Sequence, residues 1–254
     1  MAKQTGPFNL EGTIGNVIFY KRNGKYYSRS KGSPSRKKLK HGKEFENSRR
    51  VSSEFGHASK FAAKLSRSCV GLLNPGRHDG LHGRMTASLQ KVLQTDPVSE
   101  YGSRRLRFGN LDLMVGFDFE AMPLKRLLIS LPTLSQQGQI AQIDFTGTKS
   151  LVKNCIPAGA THYRVDFVCC RMNEVSAKTA NKRYEGKAFG IDASLELIGM
   201  LELDFGSELR EEEILFIVMG IVFLQEVNGK MNELVGKRAV GVLKGIKGDL
   251  FASR

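Results

Sequence analysis

The sequence contains no tryptophan and only four cysteines among its 254 residues. The lack of tryptophan disfavours aromatic cages and sugar-stacking sites. Cys69, Cys155, Cys169 and Cys170 form no CxxC pair and have no spacing typical of a disulfide framework. We therefore expect reduced thiols that act as small apolar residues, no bound metal and no cofactor. Because Cys169 and Cys170 are neighbours in a strand-like run, their side chains should point to opposite faces.

Long hydrophobic stretches are also absent. The longest apolar run, residues 214–224, has eleven residues with Gly220 inside it. Such a run is too short to span a bilayer and suits a buried strand. The N-terminus has no apolar core of a signal peptide. These features predict a cytoplasmic protein with no membrane partner.

The common catalytic motifs are missing as well. The chain contains no GxxxxGK[ST], no GxGxxG after a predicted strand and no GxSxG. His78 and His82 have the spacing of helical zinc ligands, but Gly80 lies between them and no third ligand is evident. The three consecutive glutamates at 211–213 are typical of a solvated loop. We predict that the protein is not an enzyme and has no catalytic residues.

Positive charge, by contrast, is plentiful and concentrated in the first part of the chain. Residues 1–110 hold 22 of the 39 Lys and Arg residues and 7 of the 25 Asp and Glu residues. The densest stretch, residues 21–50, contains 12 basic residues against two acidic ones. Positive charge so concentrated favours a polyanionic partner, and nucleic acid is the commonest partner of this kind.

Residues 11–30 have the pattern of a β-hairpin. β-branched and aromatic residues over 13–20 precede Asn23-Gly24, a pair that accepts positive φ at both central positions of a type I′ turn. Three tyrosines are interleaved with the basic residues, and aromatic rings of this kind stack on unpaired bases. The segment 31–40 has five positive charges and little to bury, so we expect an extended or mobile arm there.

Two helices are predicted after this arm. Over residues 44–73 the apolar residues recur at intervals of three and four, as on one stripe of a helix: Val51, Phe55, Ala58, Ala62, Leu65, Cys69 and Leu72. A second helix is predicted over about residues 80–94, before Asp96-Pro97. Basic residues lie mainly off the apolar stripe, so the helical pair should have a basic outer surface.

From about residue 108 the pattern changes to strands. The predicted strands are 111–119, 126–131, 139–145, 162–171, 188–195, 200–205, 214–227 and 238–244. Short strands without interleaved helices indicate an antiparallel sandwich. The sequence thus predicts an α+β protein in which a basic hairpin and arm (1–43) and a helical pair (44–98) precede an immunoglobulin-like β-sandwich (109–254).

Two Gly-rich segments carry a resemblance to known sequences. They are EGTIGN at residues 11–16, in the hairpin, and IPAGATHY at residues 156–163. In these motifs the chain resembles a group of uncharacterised bacterial proteins, mainly from Bacteroidota. The group has no established activity, so the resemblance implies a recurring fold and carries over no functional residues.

These patterns together favour a non-enzymatic binding protein whose basic N-terminal part contacts a polyanion. Nucleic acid, either DNA or RNA, is the first partner to consider, and an acidic protein surface is the second. The alternative function is a structural subunit of a larger phage-like or surface assembly, in which copies of the chain form a homo-oligomer. An enzyme of unrecognised type is a distant third. The predicted nucleic-acid contacts are Lys21, Arg22, Lys25, Tyr26, Arg29, Lys31, Arg36, Lys37, Lys38, Lys40, Arg49 and Arg50.

Overall fold

The computed structural model describes residues 2–32, 34–76 and 78–248. The chain divides into two compact units, Met1–Arg49 and Arg50–Arg254. Helices and antiparallel sheets are both present, which confirms the α+β class. Among the helices of the described residues, none combines the length and the apolar character needed to cross a membrane.

The first unit contains an antiparallel sheet of four strands. In chain order these are β1 (Ala2–Lys3), β2 (Gly12–Ile14), β3 (Val17–Arg22) and β4 (Lys25–Ser30). They lie side by side in the order β1-β4-β3-β2. The predicted hairpin is confirmed, because Asn23 and Gly24 connect β3 to β4 with φ angles of 51° and 73°, as a type I′ turn requires. No described residue between 2 and 49 is buried.

The basic arm after the hairpin contains a short helix, α1 (Arg36–His41). The prediction of an extended arm is therefore wrong for these residues, while Ser33 lies outside the described residues. The Ser35 hydroxyl accepts a hydrogen bond from the first turn, and Arg49 donates to two carbonyls at the C-terminal end at 2.9 Å each. Lysine, arginine and leucine favour helices, and the hydrogen bonds at both ends stabilise this short helix.

The second unit is built from two antiparallel sheets. Its strands are β5 (Thr133–Gln137), β6 (Ile140–Asp144), β7 (His162–Asn173), β8 (Thr179–Tyr184), β9 (Ala188–Gly190), β10 (Met200–Asp204), β11 (Glu213–Val227) and β12 (Lys230–Lys247). The larger sheet has the order β12-β11-β7-β8, with β9 also paired to β7. The smaller sheet has the order β10-β6-β5.

Two long helices cover one face of the larger sheet. They are α2 (Glu46–Ser68) and α3 (Leu81–Gln94), which confirm the predicted helical pair. Buried side chains of both helices share one hydrophobic core with residues of β7, β11 and β12. At the start of α2, however, Val51 and Phe55 are 48% and 51% exposed, so the core does not cover this end of the apolar stripe.

The segment around residue 109 is part of this core. Leu106 and Leu111, on either side of it, are both buried among the helices and the larger sheet. Gly109 lies so close to α3 that an added Cβ would be 2.2 Å from the Val92 carbonyl oxygen. The chain therefore packs tightly where the sequence places the start of a separate sandwich domain.

The smaller sheet covers the opposite face of the larger one. Ile143 of β6 and Leu203 of β10 share a second core with Phe167 of β7. The two sheets thus face each other as in a sandwich, and the helices add a third layer; the immunoglobulin-like type is not confirmed. Cys169 and Cys170 lie in different cores, which confirms that their side chains point to opposite faces.

Three of the predicted strands differ in the structure. Residues 111–119 begin with a 3₁₀ turn, Leu111–Met114. The first and last residues of this turn, three positions apart, are both buried in the core. Residues 126–131 include the end of a short helix, α4 (Leu124–Leu127), which begins directly after Pro123. Residues 188–195 are a strand only over β9. Two polar strands, β5 and β8, have too few apolar residues to show a period of two and were not predicted.

Candidate nucleic-acid interface

The register of the N-terminal sheet determines which basic side chains lie together. Arg22 is paired with Lys25, and Tyr20 is paired with Tyr27. Directly opposed residues share a face, and every second residue along a strand returns to that face. We call the face that carries these four side chains the cation–tyrosine face. Its members by register are Lys3, Thr13, Ile18, Tyr20, Arg22, Lys25, Tyr27 and Arg29.

The two tyrosine rings form the centre of this face. Their centroids are 5.9 Å apart and their planes differ by 28°. Together with Arg22 and Asn23 they line a shallow cleft of about 310 Å³. The Arg29 guanidinium lies 6.0 Å from the centroid of the Tyr20 ring. Flat aromatic surface bordered by cations is suited to a stacked base whose phosphates contact the basic side chains.

The opposite face of the same sheet is mostly apolar. It carries Lys21 and Tyr26, with the lysine ammonium 5.2 Å from the centroid of the tyrosine ring. Ile14, Val17 and Phe19 lie on this face by register. The structure therefore separates Lys21 and Tyr26 from the other hairpin residues of the predicted interface.

The predicted residues of the basic arm lie in α1 or just before it, and all of them are exposed: Lys31, Arg36, Lys37, Lys38 and Lys40. The Lys38 ammonium is 3.3 Å from the Glu44 carboxylate, and both side chains are more than half exposed. Such a surface pair is weak and leaves the lysine accessible to another anion. The arm therefore presents a second group of cations within the first unit.

Arg49 and Arg50 have contacts of a different kind. Arg49 is half-buried, and its Nη1 donates hydrogen bonds to the carbonyl oxygens of Leu39 and Gly42, both at 2.9 Å. Arg50 belongs to the second unit, where Gly102 packs on it so closely that an added Cβ would lie 2.7 Å from the Arg50 Cβ. The Arg49 guanidinium thus supports the end of α1, whereas Arg50 is exposed.

Three of the basic and aromatic residues of the cation–tyrosine face were missing from the predicted set. Tyr20 and Tyr27 could have been found, because a two-residue turn fixes the register and counting outward by twos from Arg22 and Lys25 reaches both of them. Lys3 depends on the pairing of β1 with β4, for which the sequence has no local signal.

Comparison of the chain with protein-family models, curated proteins and solved structures finds no match. The candidate interface therefore rests on the geometry and charge of its own residues.

The histidines with zinc-like spacing do not converge. His78 Nδ1 lies 3.6 Å from a carboxylate oxygen of Glu120, whereas His82 Nε2 lies 3.0 Å from the Ser59 hydroxyl. Within residues 2–32, 34–76 and 78–248, no group of three or more His, Cys, Asp and Glu side chains is placed to hold a metal ion.

Of the three consecutive glutamates, Glu213 is not in a solvated loop. It begins β11 and is ion-paired with Arg171. Burial raises the pKa of Glu213, but hydrogen bonds from Arg171 and from the Arg210 backbone outweigh burial and hold the pKa below its usual value. Glu213 therefore anchors the first residue of β11. The expectation of a solvated loop does not hold for this glutamate.

Proposed function

We propose that the protein is a non-enzymatic binding protein that holds single-stranded nucleic acid on the cation–tyrosine face. The observation that supports this most directly is the Tyr20–Tyr27 ring pair with Arg22, Lys25 and Arg29 around it on one face. Arginine and lysine neutralise phosphates and release counterions, while the rings offer stacking surface to unpaired bases.

The charge of the first unit supports the same proposal. Residues 1–49 contain 12 Lys and Arg residues and three Asp and Glu residues. The exposed cations of α1 add to the positive charge of this unit. A strand of nucleic acid that follows this surface has its phosphates neutralised by cations of both elements.

The lack of a hydrophobic core beneath the described residues of the N-terminal sheet also favours a binding role. Because no described residue from 2 to 49 is buried, the sheet gains little free energy from its own packing. Ile14 is 62% exposed and Phe8 is 85% exposed. Exposed apolar side chains of this kind are typical of surfaces that bind a partner.

Two neighbouring tyrosines on opposite faces provide a matched test. Tyr27 lies on the cation–tyrosine face and Tyr26 on the other, and both are half-buried. In an anisotropy titration with a fluorescent oligothymidylate, Tyr27→Ala should weaken binding by about 1–3 kcal/mol, the typical loss of one stacked base. Tyr26→Ala should weaken binding much less. Equal losses for both variants, or a loss for Tyr26→Ala alone, would contradict the proposal.

Lys21 and Arg22 form a second matched pair, because they too are neighbours on opposite faces. Arg22→Gln should weaken binding and reduce the slope of log K against log[salt] by roughly 0.7 for each single-strand phosphate that is no longer neutralised. Lys21→Gln should leave the slope close to that of the unaltered protein. A binding constant that does not change with salt concentration would show that the cations do not contact phosphates.

The α1 cations are tested by one combined variant. Replacing Arg36, Lys37, Lys38 and Lys40 with glutamine should weaken binding to all sequences alike and flatten the salt slope further. Unchanged binding in this variant would confine the interface to the sheet.

A structural subunit of a larger assembly is the second candidate, and the apolar face of the N-terminal sheet favours it. Ile14 and Val17 are exposed on that face beside Phe19. In an assembly this face would pack against another copy of the chain. Light scattering over a range of concentrations should then show a rising mass, and Ile14→Lys should prevent the rise.

A further inference from the structure

Three carboxylates hold residues 96–107 of the second unit in one conformation. Asp96 accepts hydrogen bonds from three backbone amides, at 2.7, 2.8 and 3.1 Å. Glu54 of α2 accepts one from the Gly102 amide at 2.7 Å. Glu174 accepts two from this segment, at 2.8 and 3.1 Å. A loop fixed at three points presents its side chains in a preorganised arrangement.

This loop and α2 enclose a cleft of about 440 Å³. Its polar lining includes three cations and three hydroxyls: Lys60, Arg104, Arg105, Ser52, Ser53 and Ser103. Lys60 and Arg105 are exposed, and Arg104 is half-buried. The hydroxyl and cationic groups are all hydrogen-bond donors, which is the lining that an oxyanion requires.

Arg104 has a buried donor that lacks an acceptor. Its Nε lies 3.8 Å from the nearer Glu54 oxygen, beyond hydrogen-bond distance, and has no hydrogen-bond partner among the described residues. Its guanidinium lies 5.3 Å from the centroid of the Tyr101 ring, a cation–π contact. The Nε itself is buried, and Arg104 lines the cleft with the rest of a side chain that is 25% exposed.

The acidic and imidazole groups of the cleft are already engaged. The Glu54 oxygen that faces Arg104 accepts the Gly102 amide, and the His57 Nε2 is 2.9 Å from Glu174. The three cations therefore exceed the one carboxylate that lines the cleft.

We propose that this cleft is a phosphate-binding site. The arginine fork and the hydroxyls around it match the several oxygens of a phosphate group, whereas a planar carboxylate would use fewer of these donors. All of its residues belong to the second unit, so the site does not depend on the cation–tyrosine face. The phosphate belongs to a small molecule or to a nucleic-acid backbone, and the two sources are distinguished by the probes below.

The test uses the full ¹⁵N-labelled chain titrated with inorganic pyrophosphate at low salt. The amides of Gly56, Gly102 and Ser103 should shift and saturate. Lys60→Gln combined with Arg105→Gln should raise the Kd by about tenfold or more, the loss expected for charge-assisted hydrogen bonds. The matched control, Lys149→Gln with Lys187→Gln, removes the same charge from exposed positions elsewhere and should change the Kd less than about twofold.

Cleft amides that do not move, or equal losses in the two double variants, would overturn the proposal. Arg104→Lys keeps the charge but removes the planar fork of N–H donors, and it should also weaken binding while the spectrum of the loop is retained. Unchanged affinity in this variant would refute the role of the Arg104 guanidinium.

Thymidylyl-thymidine, which has an internal phosphodiester, serves as the second probe. Tighter binding of pyrophosphate indicates a small-molecule phosphate, and tighter binding of the dinucleotide indicates a nucleic-acid backbone. Failure of both probes to shift the cleft amides overturns the proposal. Loss of oligothymidylate binding in Tyr27→Ala with intact pyrophosphate shifts would support both proposals independently.

Discussion

The Glu174 carboxylate accepts a hydrogen bond from the His57 ring at 2.9 Å, although the two residues are 117 positions apart in the chain. Glu174 directly follows β7, and His57 lies on α2. The same carboxylate accepts the amides of Leu106 and Arg107, and its side chain is 1% exposed. One buried acid thus joins the helical layer, a loop and the central sheet.

Replacing Glu174 with glutamine should destabilise the second unit. The NH₂ group of the glutamine would replace a carboxylate oxygen that now accepts hydrogen bonds. At least one of the buried N–H donors would then lose its acceptor. We expect the free energy of unfolding in urea to fall by about 1–3 kcal/mol. Glu100→Gln is the control, because Glu100 is exposed in the same loop. An unchanged urea midpoint for Glu174→Gln would show that the carboxylate does not stabilise this junction.

The Asp96 carboxyl should make the free energy of unfolding depend on pH. Burial raises the pKa of the Asp96 carboxyl, but hydrogen bonds from the Arg105, Val98 and Ser99 backbones outweigh burial and lower the pKa below its ordinary value. The ionised form therefore favours the folded state. Its contribution is complete above the unfolded pKa of about 3.9 and is lost as the pH falls through the lower folded value.

The matching variant is Asp96→Asn. It should be less stable than the unaltered protein near neutral pH, and the difference between the two should shrink as the solution is acidified. Urea unfolding at several pH values measures this. A constant difference at all pH values would contradict the role of the Asp96 charge.

A fragment that begins at residue 109 tests the sandwich boundary suggested by the sequence. Leu65 of α2 and Leu89 of α3 pack in one core with Val218 of β11, so the fragment would expose one face of the larger sheet. We expect residues 109–254 to lack a cooperative melting transition and residues 46–254 to retain one by circular dichroism. Cooperative melting of the shorter fragment would support the sequence-based boundary instead.

The four thiols should differ in reactivity. Burial raises the pKa of Cys69, raises that of Cys170 to about 11 and raises that of Cys169 to about 12. Cys155 is half-buried and lines a cleft of about 420 Å³ with Arg126. A disulfide reagent at about pH 8 should modify Cys155 first, because the other three thiols are buried away from the reagent and burial raises their pKa. Cys155→Ser should abolish the fast phase, and Cys69→Ser should leave it unchanged.

Local patterns predicted the parts of the fold that depend on near neighbours. The Asn23-Gly24 turn and the alternation at Cys169 and Cys170 follow from backbone geometry alone, and the structure confirms both. The 3₁₀ turn at Leu111–Met114 was missed because four apolar-rich residues fit a strand equally well. Whether helices cover a sheet is a property of packing between distant segments, which periodicity does not report.

The candidate interface was predictable in composition but not in arrangement. The concentration of cations between Lys21 and Lys40 is visible in the sequence, yet Lys21 and Arg22 lie on opposite faces. This separation could have been predicted, because the Asn23-Gly24 turn fixes the register and neighbouring residues of a strand point to opposite faces. Arg49 was predicted to contact a phosphate, and its engagement by the end of α1 could be found only from the helix that the sequence did not predict.

The layered core has a consequence for how the chain is made. The helices α2 and α3 are synthesised long before β11 and β12, which supply Val218 and Val242 to the core that they share. While the ribosome is still translating, the apolar sides of both helices have no sheet to cover them. The nascent chain therefore exposes apolar surface until its last strands emerge, and such surface is prone to aggregation during this interval.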